Sequence, residues 1–301
     1  MLFALSGLTA CGGAPPPEPA ARFGRPAPLR SVVPNYPTAT SMVFEADYNE
    51  AAINIYQTFD LAYNPAPVAS ITVARGCPYG LAMDKTGTLY VVDNCGGNDV
   101  EEYAKGQTML LKTITSGVSN PLGIAVDAHG RLYVSNYPAA ISIYGRGKTK
   151  PSKIISGSPM VNPCGLTVDQ DGNLFIADYG AGQVFELAVG ASGVTALNLQ
   201  DLAQPLGVGI DRESRDLWVT DGAGDKINVY KPGQTNPTAT IAGHGSPYAI
   251  GVQNEGKPRQ GVVVSDLLTE AVYLYDPKRY TLEATLTNGI DRPTGLLIEN
   301  P

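Results

Sequence analysis

Asp47, Asp93, Asn136, Asp178, Asp221 and Asp266 recur at a nearly constant spacing along the chain. Five carboxylates and an amide set around one axis could hold a cation, the first chemistry the sequence suggests. Their repetition favours another role. A residue present in every module serves what every module needs, and an Asp or Asn after a strand accepts hydrogen bonds from the backbone of the following turn. The same reasoning covers Asp84, Asp127, Asp169 and Asp211. Residues that do not repeat are the better candidates for binding. Tyr48, Asn94, Tyr137 and Tyr179 directly follow four of the repeated positions, Tyr79 and Tyr248 each follow a proline, and His244 lies in Ala242-Gly243-His244-Gly245. Tyrosines beside acids suit a polar or cationic ligand such as a sugar or peptide.

The elements that position these residues are written into a repeat. Pro163 to Gly180 reads PCGLTVDQDGNLFIADYG, and related copies begin at Cys77, Pro121, Pro205 and, more loosely, Pro247. Pro78, Pro121, Pro163, Pro205 and Pro247 stand 43, 42, 42 and 42 residues apart, with Pro293 following after 46. A period in the forties built from short strands is the signature of a β-propeller blade. Each repeat carries four strand signals; for the Pro163 copy they are Gly165–Val168, Leu174–Ala177, Gln183–Leu187 and Val194–Leu199. The bulky second-strand series Tyr90, Tyr133, Phe175 and Trp218 is expected to pack between blades. So is the third-strand series Tyr56, Tyr103, Tyr144, Tyr230 and Tyr275.

The ends of the repeat array complete one another. MVFEAD, AINIY and VASITV, from Met42 to Val73, supply second, third and fourth strands with no first; PTGLLIE, from Pro293, is a first strand with nothing after it. Five continuous blades and one composite predict an all-β, six-bladed propeller of four antiparallel strands per blade, closed by the C-terminal strand. The pattern P-x-G-[LIV]-[AT]-V-D-x-x-G-x-L-[YF]-[VI]-[AV]-D, followed by an I-x-V-Y-like strand, resembles the NHL-repeat propellers and their six-bladed relatives over about residues 41–299. The resemblance implies the fold and leaves function open, because that superfamily holds hydrolases, lyases and binding modules. Its amidating lyases hold zinc with several histidines, whereas His129 and His244 fall at opposite ends of the predicted propeller. Its gluconolactonase-like members hold a divalent metal with a Glu/Asn/Asp cluster in the channel. Here the channel-facing first strands are mostly Gly, Ala, Ile, Leu and Val.

The first residues read as targeting. Leu8-Thr9-Ala10-Cys11 follows a short apolar stretch and resembles the bacterial lipobox, which implies lipidation at Cys11 and loss of residues 1–10. Residues 11–34 are a Pro-rich tether, and residues 35–301 form the propeller. A location on the periplasmic or extracellular face of a bacterial cell envelope follows from that resemblance, with the membrane reached by the lipid anchor only. The formal net charge is −7, or about −9 once Arg22, Arg25, Arg30 and Glu18 of the first 34 residues are set aside. An acidic body without a Lys/Arg cluster argues against a nucleic-acid partner. Counting outward from a turn that pairs Met83 with Leu89 sets Cys77 opposite Cys95, so a disulfide is expected in an oxidising compartment.

These readings predict a monomeric binding or scaffold module, without catalytic residues or cofactor, that offers its channel-mouth loops to a small polar ligand, glycan or protein. The alternative is a metal-dependent hydrolase or lactonase with a divalent cation such as calcium in the channel. A purely structural envelope protein is a third possibility.

Overall fold

The computed structural model describes residues 41–73, 76–95, 98–253 and 261–299. The expected signal segment, Cys11 and the Pro-rich tether lie outside the described residues. Six four-stranded antiparallel sheets form the blades. In blade II the strands are Pro78–Met83, Leu89–Asp93, Asp99–Tyr103 and Leu110–Ile114. Blades III to VI begin with Pro121–Val126, Pro163–Val168, Pro205–Ile210 and Pro247–Val252. Blade I is composite. Its inner strand is Pro293–Glu299, followed outward by Met42–Asp47, Ala52–Gln57 and Ala69–Thr72.

Each blade is covered on both faces by its neighbours, so its middle strands are buried along their length rather than alternating. Leu89–Asp93, Leu132–Asn136 and Leu217–Asp221 are buried at every residue. The outermost strands face solvent, as in Leu110–Ile114 and Leu282–Leu286. Trp218, Tyr56, Tyr103, Tyr144, Tyr230 and Tyr275 are among the largest fully buried side chains, which matches their expected packing role. Several of these tyrosines also pin the loop that leads into their own blade. Tyr144 donates to the Ser116 carbonyl at 2.9 Å, Tyr230 to that of Gln200 at 2.7 Å, and Tyr56 to that of Asn288 at 3.1 Å.

The ring closes as the two chain ends predict. Met42 pairs with Glu299, Phe44 with Leu297 and Asp47 with Pro293, and the Pro293–Glu299 strand lies between the inner strands of blades II and VI. The closing strand therefore hides the sheet edge that Met42–Asp47 would otherwise expose.

Two features depart from simple strand counting. Every inner strand carries a β-bulge just after its leading proline, at P-x-G in five blades and at Pro247-Tyr248-Ala249 in blade VI; in blade II the register runs from Met83↔Leu89 to Pro78↔Asp93. The bulge sets Cys77 against Asn94, whose backbone N–H donates to the Cys77 carbonyl at 3.1 Å. Cys95 still lies within reach, and the Cys77–Cys95 disulfide is present with its Cα atoms 5.2 Å apart. No described cysteine is a free thiol. In blade IV the outermost strand shrinks from the expected Val194–Leu199 to Thr195–Ala196. Asn198 and Asp201 take positive φ and turn the chain out of the sheet, while the Gln183 side chain replaces the ladder by bonding both Leu199 backbone groups at 3.1 Å.

Candidate functional site

The inner strands converge on the axis so closely that backbone packs on backbone. A Cβ on Gly80, Gly123, Gly165, Gly207 or Gly295 would lie under 3.0 Å from a carbonyl oxygen of the next blade, which is why the third residue of P-x-G carries no side chain. Hydroxyls stitch the same neck. Ser135 accepts from Gly123 N–H and donates to the Cys164 carbonyl, both at 2.7 Å. Thr220 does the same between Gly207, at 2.7 Å, and Tyr248, at 2.6 Å. In blade I the hydroxyl comes from the inner strand instead, Thr294 donating to the Pro78 carbonyl at 2.6 Å. Sequence reading missed these hydroxyls. Ser135, Thr220 and Ser265 share one register position, where other blades carry Ala46, Val92 and Ala177.

The repeated acids are taken up by the backbone. Asp178 accepts from Val161 and Asn162 N–H at 2.8 Å and from Ala181 N–H at 2.9 Å. Asp221 accepts in the same way from Ala203 and Gln204 at 2.8 Å and from Gly224 at 3.1 Å. Asp266 binds Ser246, Leu268 and Thr269, and Asn136 binds Ser119. Asp47 closes the ring this way, accepting from Asp291 N–H at 2.8 Å and Glu50 N–H at 3.0 Å. Burial raises the Asp47 pKa, and these donors oppose the rise without cancelling it. Five of the six repeated positions clamp an entry loop and Asp93 accepts from Cys95 N–H at 3.0 Å, so the tyrosines do not sit beside free carboxylates. Asp84, Asp127, Asp169 and Asp211 likewise accept from the backbone of the first hairpin turn.

Three of the candidate tyrosines gather at the mouth, where blades I, II and VI meet. Tyr48 and Tyr79 pack edge to face with ring centroids 5.6 Å apart; Tyr79 and Tyr248 belong to one buried apolar cluster, and Tyr48 packs partly buried against it. Burial pushes the Tyr79 hydroxyl up to about 12, with a further rise from Tyr48 and a counteracting pull from Arg292. Burial drives Tyr248 well above its ordinary value of 10.0. Arg292, which the sequence did not single out, lays its guanidinium 4.7 Å from the centre of the Tyr48 ring. The opposite edge of Tyr48 reaches the Cys77–Cys95 bridge, its hydroxyl 3.7 Å from Cys95 Sγ.

The other candidates are placed differently. Tyr179 packs partly buried against the same apolar cluster, and Tyr137 is partly buried ahead of a cis Pro138. Asn94 donates its side-chain amide to the Pro121 carbonyl at 2.8 Å and so ties blade II to blade III. His244 is exposed and stacks on Tyr273, a third-strand residue of blade VI, with centroids 3.9 Å apart; it stands outside the tyrosine cluster.

Below the mouth lies a cavity of about 60 Å³ whose lining includes Gly123, Gly165, Leu206, Tyr248 and Thr294. That is room for about four waters, far too little for a sugar or peptide, so a ligand at this end must lie across the mouth. None of the described residues lining this cavity is a carboxylate. At the other end of the channel Met83, Val126, Val168 and Val252 dominate, and Arg212 is the charged member. The tightest acidic group lies inside blade II instead. Asp93, Asp99 and Glu101 are buried with oxygens within 4.8 Å of one another, and Tyr103 donates to Glu101. All three acids take part in further interactions.

No family model matches the chain, and no curated protein matches it. Among solved structures it is similar to a chain of the nidogen/laminin complex, at 19% identity and a TM-score of 0.69, covering 86% of this chain and 98% of that one. At that identity the similarity shows the fold, and the class of protein is a six-bladed β-propeller.

Proposed function

We propose that this chain is a non-catalytic binding or scaffold module, related to the NHL-repeat propellers, that takes its ligand across the channel mouth at the junction of blades I, II and VI. The observation that carries this reading is the cluster of Tyr48, Tyr79 and Tyr248 with Arg292. These residues belong to single blades, stand on a rigid neck and combine aromatic surface with a cation. Loops on a rigid scaffold are the usual place for recognition. Small polar ligands, glycans and proteins all fit a shallow mouth of this kind. A protein partner also draws on the similar chain, which was solved in a nidogen/laminin complex. The lipobox-like Cys11 supports a place at a bacterial cell envelope, with the propeller held off the membrane by the Pro-rich tether.

Aromatic NMR spectra of tyrosine-labelled protein, titrated with mono- and oligosaccharides and short peptides, test the site. Tyr48, Tyr79 and Tyr248 are expected to shift while Tyr273 stays still. Absence of any shift at millimolar ligand, or lactone hydrolysis by calcium-loaded protein that chelator abolishes, overturns the reading.

A further inference from the structure

Four described cationic side chains are partly buried: Lys112, Arg131, Lys226 and Arg292. Three of them rest on a carboxylate. Lys112 lies 2.9 Å from Glu102, Arg131 lies 2.6 Å from Asp127, and Lys226 pairs with Asp201. Arg292 differs. Among the described residues no carboxylate comes within ion-pair distance of its guanidinium, and no acceptor takes a hydrogen bond from it. Asp291, the nearest acid in sequence, is engaged by the Asn49 amide at 3.1 Å.

The Arg292 backbone, by contrast, is tied down. Its carbonyl accepts from Tyr48 N–H at 3.0 Å and its N–H points at Asp47 at 3.4 Å. The guanidinium is held over the Tyr48 ring, 4.7 Å from its centre, by this anchoring and by the attraction of the ring face for a cation. A planar fork of donors, fixed in place and left without an acceptor, has the geometry that receives a carboxylate through two parallel hydrogen bonds. Tyr79 and Tyr248 supply the apolar wall beside it and keep their hydroxyls neutral, so no phenolate competes for the cation.

We propose that Arg292 is the specificity-determining residue of the mouth and that the ligand carries a carboxylate. This inference rests on the binding reading above and narrows the expectation from sequence, where acids beside tyrosines suggested a polar or cationic ligand, to an anionic one. The carboxylate could belong to an acidic sugar or to the C-terminus of a short peptide, and two matched probe pairs separate the sources. Glucuronate is compared with glucose, and trialanine with its C-terminal amide, each by NMR titration of the full chain.

The carboxylate member of one pair is expected to bind about tenfold more tightly than its neutral partner, and that pair identifies the source. Arg292→Met is expected to abolish the preference at unchanged melting temperature. Arg292→Lys keeps the charge without the fork and should fall between the two; it carries the test if the Met variant does not fold. Equal binding of acidic and neutral members, or a preference that survives in Arg292→Met, overturns the carboxylate inference and leaves the binding site standing. Failure of all four probes to shift the mouth tyrosines overturns both.

Discussion

Blades I and II, which flank the closure of the ring, are fastened differently from blade IV across the axis. At the closure, the Thr294 hydroxyl sits between two carbonyls, 2.6 Å from that of Pro78 and 3.0 Å from that of Ala46, and its single proton is shared between them. Lys105 of blade II reaches Glu299 of blade I at 3.4 Å, and the Cys77–Cys95 bridge braces the entry to blade II. Blade IV has the shared Asp178 clamp, but Ala177 stands where blades III, V and VI carry a hydroxyl, its inner strand has no counterpart of Thr294, and its outermost strand is two residues long. The difference follows from chain connectivity. Blade IV is continuous, so its strands meet through short turns. Blade I must bring the two ends of the array together against loop-closure entropy and therefore needs more contacts to stay shut. The composite blade, where the two ends of the array meet, also carries Arg292 and Tyr48 at its mouth end.

Deleting residues 293–301 tests this contrast most severely. It strips the pairing edge from Met42–Asp47 and removes the buried Leu296 and Ile298. A loss of roughly 5 kcal/mol or more is expected, lowering the melting temperature by more than about ten degrees. A truncated protein that melts within a couple of degrees of the full chain would show that the closing strand is dispensable.

Replacing Cys77 and Cys95 together with serine should have the next largest effect. The bridge spans a sequence separation of 18 residues, and its loss is expected to cost about 3 kcal/mol. Calorimetry with and without reductant measures this directly. Reductant should lower the wild-type melting temperature much more than that of the double variant. Equal shifts would place the stabilisation elsewhere.

Glu299 gives the smallest effect and sharpens the account of the closure's electrostatics. Burial raises its pKa above the ordinary 4.5, and Lys105 opposes that rise without cancelling it. The folded state therefore holds the proton more firmly than the unfolded chain. The associated stability is fully present below 4.5 and is lost as pH climbs through the higher folded value. Glu299→Gln has no such loss, so its advantage over wild type should appear above that window and vanish in mild acid. Thermal melts across the range decide the matter. A variant less stable than wild type at neutral pH would mean that the Lys105 ion pair outweighs desolvation.

Much of the fold was legible because a repeat shows each local signal several times. Met42–Asp47, Gln183–Leu187 and Pro293–Glu299 form as strands with the bounds the sequence suggests. The clamping role of the repeated acids was readable for the same reason, since what recurs in each blade is construction. Other features had weaker signals. The bulge at P-x-G is a register event that strand periodicity does not encode. Asn198 and Asp201 turn the last strand of blade IV aside through backbone conformation, and the 3-10 turn at Thr58–Tyr63 occupies a segment with no repeat to compare.

The candidate site divides along the same line. Tyr48, Tyr79 and Tyr248 could be named as residues that single blades own, because departure from a repeat is visible in one dimension. Their meeting could not, since it depends on closing residue 48 against residue 292. Arg292 was invisible for that reason, and tyrosines beside acids point to a polar or cationic ligand in sequence although Asp47 is taken up by backbone donors. The sequence by itself determined the number of blades, the order of strands and the pairing of the two termini, all of which follow from local periodicity and hydrophobic burial. Tertiary structure alone decided which charge stands at the channel mouth, because a cation without a partner carboxylate is defined by what surrounds it in space, and Tyr48 and Arg292 come from opposite ends of the array.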